Sequence, residues 1–162
     1  MKALNIKQEY VVECHKDGKL LWREEFTNIV TTAGLNYMLT QYFKGSSYTA
    51  AWYVGLTGST PTFAASDTAG SHSGWSEITN YSESVRQTLT MGTAANGSIS
   101  NVASKATFSI NATVTVGGAF VISNSTKAGT SGTLHGGKAF SADRSAVNGS
   151  TVTVAVTASL TN

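Results

Sequence analysis

"STVTVAVTASL", residues 150–160, places Val152, Val154, Val156, Ala158 and Leu160 on one side of an extended chain. That period of two is the mark of a half-buried β-strand, since successive side chains of a strand point to opposite faces. Working backward, "ATFSINATVTV" (106–116) repeats it, with Phe108, Ile110, Ala112, Val114 and Val116 on one face and Thr107, Ser109, Asn111, Thr113 and Thr115 on the other. "AAWYVGL" (50–56) reads as a short buried strand, residues 81–91 as another, and "KAFS" (138–141) as a third. Turn signals separate these runs: Asn96-Gly97, Asn148-Gly149, and Gly117-Gly118, the last either a hairpin turn or a bulge ahead of "AFVIS". Residues 57–75, which hold Pro61, and residues 123–133 read as loops from their Gly, Ser and Thr content. The expected fold is mainly β, an antiparallel β-sandwich or jelly roll.

The first quarter of the chain differs. "YVVECH" and "KLLWREEF" flank Lys16-Asp17-Gly18, the pattern of a β-hairpin with a tight turn. In "TTAGLNYMLTQYFK" (31–44), Leu35, Met38, Leu39, Tyr42 and Phe43 recur at i, i+3, i+4, i+7 and i+8. That spacing predicts one short amphipathic helix over about 33–44. Thr31 or Thr32 is placed to cap its start, and Gly45 to end it. The expected organisation is a charged N-terminal hairpin or extension, residues 1–26, and a β-sandwich domain, residues 27–162, carrying the helix.

Charge separates these parts as well. Asp, Glu, Lys and Arg make up 12% of the chain, about half the usual 25% share, and eleven of these twenty residues fall within 1–44. A net charge of +2 without clustered Lys and Arg gives no footprint for nucleic acid. The single cysteine, Cys14, excludes an intrachain disulfide and reads as a buried, inert thiol. No stretch has the apolar length of a secretory signal or a membrane span, so the expected setting is cytoplasmic and off the membrane.

Little of the chain has the pattern of a catalytic site. In "SHSGWSEITNYSESVR" (71–86), His72 lies near Asp67, Ser71, Ser73 and Glu77, so a triad can be drawn. Such neighbours are expected by chance in a serine-rich chain, and Gly-x-Ser-x-Gly is missing. His15 falls at a turn and His135 in a glycine-rich loop. Asp67, Glu77, Glu83 and Asp143 offer acids for glycoside cleavage, and Asp67 or Asp143 with loop carbonyls an oxygen set for calcium, without a spacing that groups them. "GTLHGGK" departs from the phosphate-loop spacing. The reading is no enzyme, no cofactor and no metal. Among the aromatics Trp52, Tyr53, Trp75 and Tyr81, burial in the core is the simpler assignment; Trp75, in a loop, is the exception to watch as a contact residue.

"FTNIVTTAGLNYML" (26–39), "AAWYVGLTGSTPTFAASDTAGSHSGWSEITNYSESVRQTL" (50–89), "FSINATVTVGGAFVISNSTKAGTSGTLHGGKAF" (108–140) and the closing "DRSAVNGSTVTVAVTASL" follow in an order that resembles a family of small virion proteins of tailed bacteriophages. The resemblance covers most of the chain beyond residue 25. It implies a structural role, as a β-sandwich that coats the outer surface of the head, and no catalytic residues. A decoration (cement) protein, bound to the major capsid protein and to itself, often as a homotrimer, is the leading expectation. A tail, neck or fibre component, or a module that binds surface glycans, is the alternative. The N-terminal hairpin lies outside the resemblance. Its Lys7, Glu9, Lys16, Lys19, Arg23, Glu24 and Glu25, together with Trp75, are the expected contact residues, in a virion assembled in the host cytoplasm.

Overall fold

The computed structural model describes residues 5–45 and 51–161. Ala50, in the expected strand 50–56, and the start of the expected hairpin lie outside them. The strands are β1 (Asn5–Lys16), β2 (Lys19–Thr27), β3 (Ile29–Val30), β4 (Tyr53–Thr57), β5 (Gln87–Thr88), β6 (Ser98–Ser100), β7 (Ala106–Ser109), β8 (Val114–Ile122), β9 (Leu134–Ala146) and β10 (Thr151–Thr161), with one helix, α1 (Thr32–Lys44). They form two antiparallel five-stranded sheets, one ordered β2-β1-β10-β6 with β7 also on β10, the other β3-β9-β8-β4-β5.

The first sheet is built around the last strand. β10 pairs with β1 over eleven positions, from Asn5–Thr161 to His15–Thr151, and also with β6 and β7. The alternation of β1 buries Gln8, Tyr10, Val12 and Cys14 and exposes Lys7 and Glu9. Asp17 (φ 49°) and Gly18 (φ 74°) take the left-handed pair that a two-residue hairpin turn requires. The hairpin is thus two strands of the sandwich, and the boundary at residue 26 is a change of composition within one packed unit.

Val12, Cys14, Phe108, Val152, Val154 and Val156 from this sheet meet Val54, Leu56, Val116, Val121 and Phe140 from the other in the main core. At about 1.5–3 kcal/mol for each large apolar side chain fully buried, this layer is the largest stabilising contribution. Cys14 is fully buried there, and burial pushes its thiol pKa up against a hydrogen bond from Ser150, as expected of an inert cysteine.

One expected strand is divided. "ATFSINATVTV" forms β7, which pairs with β10, and the start of β8, which pairs with β9. The chain crosses between sheets at residues 111–113, where Ala112 is exposed. The alternating pattern persists because both halves face the same core. Gly117-Gly118 is no hairpin turn; the register shifts there, with Gly117 alone on β8 opposite four residues of β9, 140–143. "KAFS" is part of the thirteen-residue β9, and His135 lies in that strand rather than in a loop. Of 81–91, only Gln87–Thr88 is strand.

The second sheet is covered on both faces, which is why β8 reads as a continuous apolar run. Residues 58–76 leave β4 and return beside it, tied by Gly58 N–H to Ser76 O, Thr62 N–H to Gly74 O and Ile78 N–H to Leu56 O. This excursion lays Phe63, Ala69 and Trp75 against Phe120, Ile122 and Leu134. Across the sheet, Phe120 sits in register between Gly55 and Gly137, and its ring occupies the space a Cβ on Gly55 would need. Gly55→Ala should cost about 1–3 kcal/mol, the usual range for overpacking, read as a lower urea midpoint with an unchanged slope.

Candidate interaction surfaces

The polar stretch 71–86 is spent on structure. Trp75 is 9% exposed; His72 stacks on it at 3.8 Å between ring centres, and Phe63 at 5.0 Å. Its indole N–H donates to Asp67 Oδ2 at 3.0 Å, and that oxygen also accepts from Ala64 N–H. His72 Nδ1 is 3.1 Å from the Trp75 carbonyl. The triad drawn from the sequence is not assembled, because Asp67 and His72 both serve Trp75. The same packing corrects the expectation that Trp75 is a contact residue, since its ring faces are covered.

The other acids also have local partners. Arg86 forms a bidentate pair with Glu77, their side chains 3% and 4% exposed, and donates to the carbonyls of Asn124 and Gly129. Glu77 also accepts from Ala128 N–H, so the pair pins 71–86 to the loop 123–133. Glu83 accepts from Ser109 N–H, and Asp143 from Thr60 N–H. Among the described residues, no group of His, Cys, Asp and Glu could hold a metal ion.

Glu24 departs from the expected solvent-facing contact. It is 4% exposed, and it accepts from the backbone N–H and hydroxyl of Ser141 and from Arg144 Nε at 2.6 Å. Trp22 Nε1 donates beside it to Ser145 O. β3 pairs with β9 only at Gly136 and Gly137, so Glu24 occupies β9 hydrogen-bonding capacity that β3 does not reach and ties the two sheets together. Burial alone would raise the Glu24 pKa; the Ser141 and Arg144 bonds outweigh it and hold the carboxyl below its ordinary value.

The remaining expected contacts are presented to solvent. Lys7 pairs with Glu9 at 2.7 Å, both about half exposed. Arg23 pairs with Glu25 and, at 3.5 Å, with Glu13, which Lys105 also reaches at 3.1 Å. Lys7, Glu9 and Glu13 are the outward residues of β1, alternate to its core positions. Lys16 donates to Asn148 O at the turn end, and Lys19 is exposed. The outer face of the first sheet is therefore open and carries ions of both signs.

A second surface was not anticipated. The caps of α1 are as expected: Thr31 Oγ1 accepts from Gly34 N–H, and Gly45 is left-handed at φ 60°. Its docking is different. Thr31 is held by the Leu134 and His135 carbonyls, and Gly34, the buried residue of the helix, lies so close to β9 that a Cβ would meet His135 O at 2.5 Å. The apolar stripe faces outward, with Leu35 38%, Leu39 57%, Tyr42 84% and Phe43 76% exposed. Beside it runs a groove of about 670 Å³, lined by Met38 and Tyr42 of α1, Ile6, Trp52, Ile99 and Leu160 among others, with no Lys, Arg, Asp or Glu among the described residues that line it. His135 lies at its wall, and burial holds the imidazole pKa below its ordinary value. A stripe at helical spacing signals an apolar face but not what covers it; Gly34, the helix's one glycine, is the sequence signal for the docked side.

No helix among the described residues is long and apolar enough to cross a membrane. Two consequences can be measured. Arg86→Ala should lose about 3–5 kcal/mol in equilibrium unfolding, because it leaves Glu77 buried and unpaired. Glu24, with its folded pKa depressed, contributes stability that is complete above the ordinary 4.5 and is lost as pH falls through its lower folded value. Glu24→Gln should lower the melting temperature at pH 7 and give a shallower decline below pH 4.5. No protein-family model matches the chain, and no curated protein matches it.

Proposed function

We propose that the chain is a structural protein of a bacteriophage virion, a decoration protein that binds the outer surface of the mature head and stabilises it. The observation that carries this reading is the asymmetry of the sandwich. One sheet is covered on both sides by its own chain, while the other offers an open face with Lys7, Glu9, Glu13, Arg23, Glu25 and Lys105 in exposed or partly exposed pairs. Mixed charge on a rigid β-surface suits a partner with a complementary charge pattern, because such contacts fix register and exclude wrong partners. Each contact is modest, and occupancy of many equivalent sites on a symmetric shell makes the total effect large.

The sequence resemblance to small virion proteins supports the same assignment. The paper constellations for catalysis give it no competitor, since their acids are bound to Trp75, Arg86, Ser109 and Thr60. A glycan-binding role that relied on Trp75 has no open ring face to use.

Purified protein mixed with emptied mature capsids should co-sediment and saturate at a lattice-like number of copies per shell. Lys7→Glu combined with Arg23→Glu should reduce occupancy at least about tenfold, and more so at low salt. Binding of only a few copies per particle would assign the protein to the tail or neck instead.

A further inference from the structure

We propose that α1 and the groove beside it form a self-association surface, on which a second copy of this chain docks its own α1 in antiparallel, two-fold fashion. The surface is separate from the charged face of the first sheet, and the inference stands whether or not that face binds a shell.

Two complementary features lie side by side. Leu35, Leu39, Tyr42 and Phe43 are spaced as the anchors by which an amphipathic helix enters an apolar groove, at i, i+4, i+7 and i+8. The groove is lined by Met38 and Tyr42 from the adjoining face of the same helix and by Ile99 and Leu160 across from it. Tyr42 belongs to both. A two-fold axis across the middle of α1, near Met38, lets each copy supply a stripe and a groove at once, as an isologous contact requires. A three-fold ring would need two separate patches.

Size and charge agree with this occupant. The exposed parts of Leu35, Leu39, Tyr42, Phe43 and Leu160 amount to roughly 600 Å², given the area such side chains carry. That is large for the apolar patch of a monomer, and with the groove walls it approaches the ~800 Å² per partner of a specific interface. The helix carries one charged residue, Lys44, at its end. Antiparallel pairing separates the two Lys44 ammonium groups by about a helix length, roughly 20 Å for thirteen residues, whereas parallel pairing would set them together. The lining, uncharged among the described residues and with its histidine held neutral, suits an apolar helix rather than an ionic partner.

The test is sedimentation equilibrium of the full chain over a wide concentration range, without capsids. Wild type should fit a monomer–dimer equilibrium. Leu39→Glu and Phe43→Glu should each weaken it at least about thirtyfold, as at an interface hot spot. Leu39→Met should retain it, and Val102→Glu, at an exposed apolar site elsewhere, should leave it unchanged. Circular dichroism melts of the α1 variants at concentrations where all are monomeric should match wild type, which separates docking from folding. A wild type that stays monomeric, a trimeric mass, or dimers indifferent to Leu39→Glu would each overturn the proposal. Capsid binding by the monomeric variants reads the shell role independently: retained binding leaves that role in place whatever the fate of the dimer, and binding lost only in α1 variants of a monomeric wild type assigns the stripe to the shell.

Discussion

A sheet with two apolar faces has to be covered twice, and much of this molecule follows from that requirement. β8 is buried from Val116 to Ile122, so neither face tolerates water. The first sheet covers one side. The other is covered by an irregular excursion whose backbone would cost free energy if left unpaired. Its carbonyls and amides are paired in cross-links such as Thr62 to Gly74, and its polar side chains are committed to holding Trp75, Phe63 and Ala69 in place. The concentration of His, Glu, Asp and Arg between residues 67 and 86 is the price of that cover. The Arg86–Glu77 pair is its deepest fastening, and it draws in the 123–133 loop as well.

The two edges of the sandwich are fastened by different chemistry. On the hairpin side, Glu24 and Trp22 reach from β2 to serines of β9, where β3 has stopped pairing. A charged side chain that accepts a strand's N–H removes an edge available to a foreign strand. On the helix side, backbone contacts through Thr31 and the Gly34 approach hold α1 to β9, and its apolar stripe is left over. One end of the molecule is thus sealed with ions, and the other carries an unsealed apolar surface.

Strand character, the Asp17-Gly18 turn, both helix caps and the buried state of Cys14 were legible in the sequence because each is local: a period of two, a dipeptide that accepts positive φ, a threonine before a helix. What was not legible depended on partners distant in the chain. Nothing in "ATFSINATVTV" marks the point where it leaves one sheet for the other, since both halves keep their apolar residues toward one core. Glu24 looks like its neighbours Arg23 and Glu25, and only the position of Ser141 and Arg144, more than a hundred residues later, distinguishes it. Trp75 had the opposite ambiguity: a loop context suggested exposure, while the aromatic wall awaiting it came from Phe120 and Phe63. The helix stripe is plain in the sequence, yet periodicity carries no information about whether a face meets its own core or another molecule.

The central place of β10 has a consequence for how the chain acquires its structure. β1, β6 and β7 all pair with this strand, and it follows every one of them in the chain. During synthesis the second sheet can assemble from β4, β8 and β9, while the hairpin waits for a partner some 140 residues downstream. Closure therefore waits until the last of the ten strands is made, and pairing across so long a sequence separation belongs to the slow range of folding, milliseconds to seconds. Until it occurs, Tyr10, Val12 and Cys14 form an open apolar row. The charged residues alternating with them, Lys7, Glu9 and Glu13, serve during that interval as gatekeepers against aggregation.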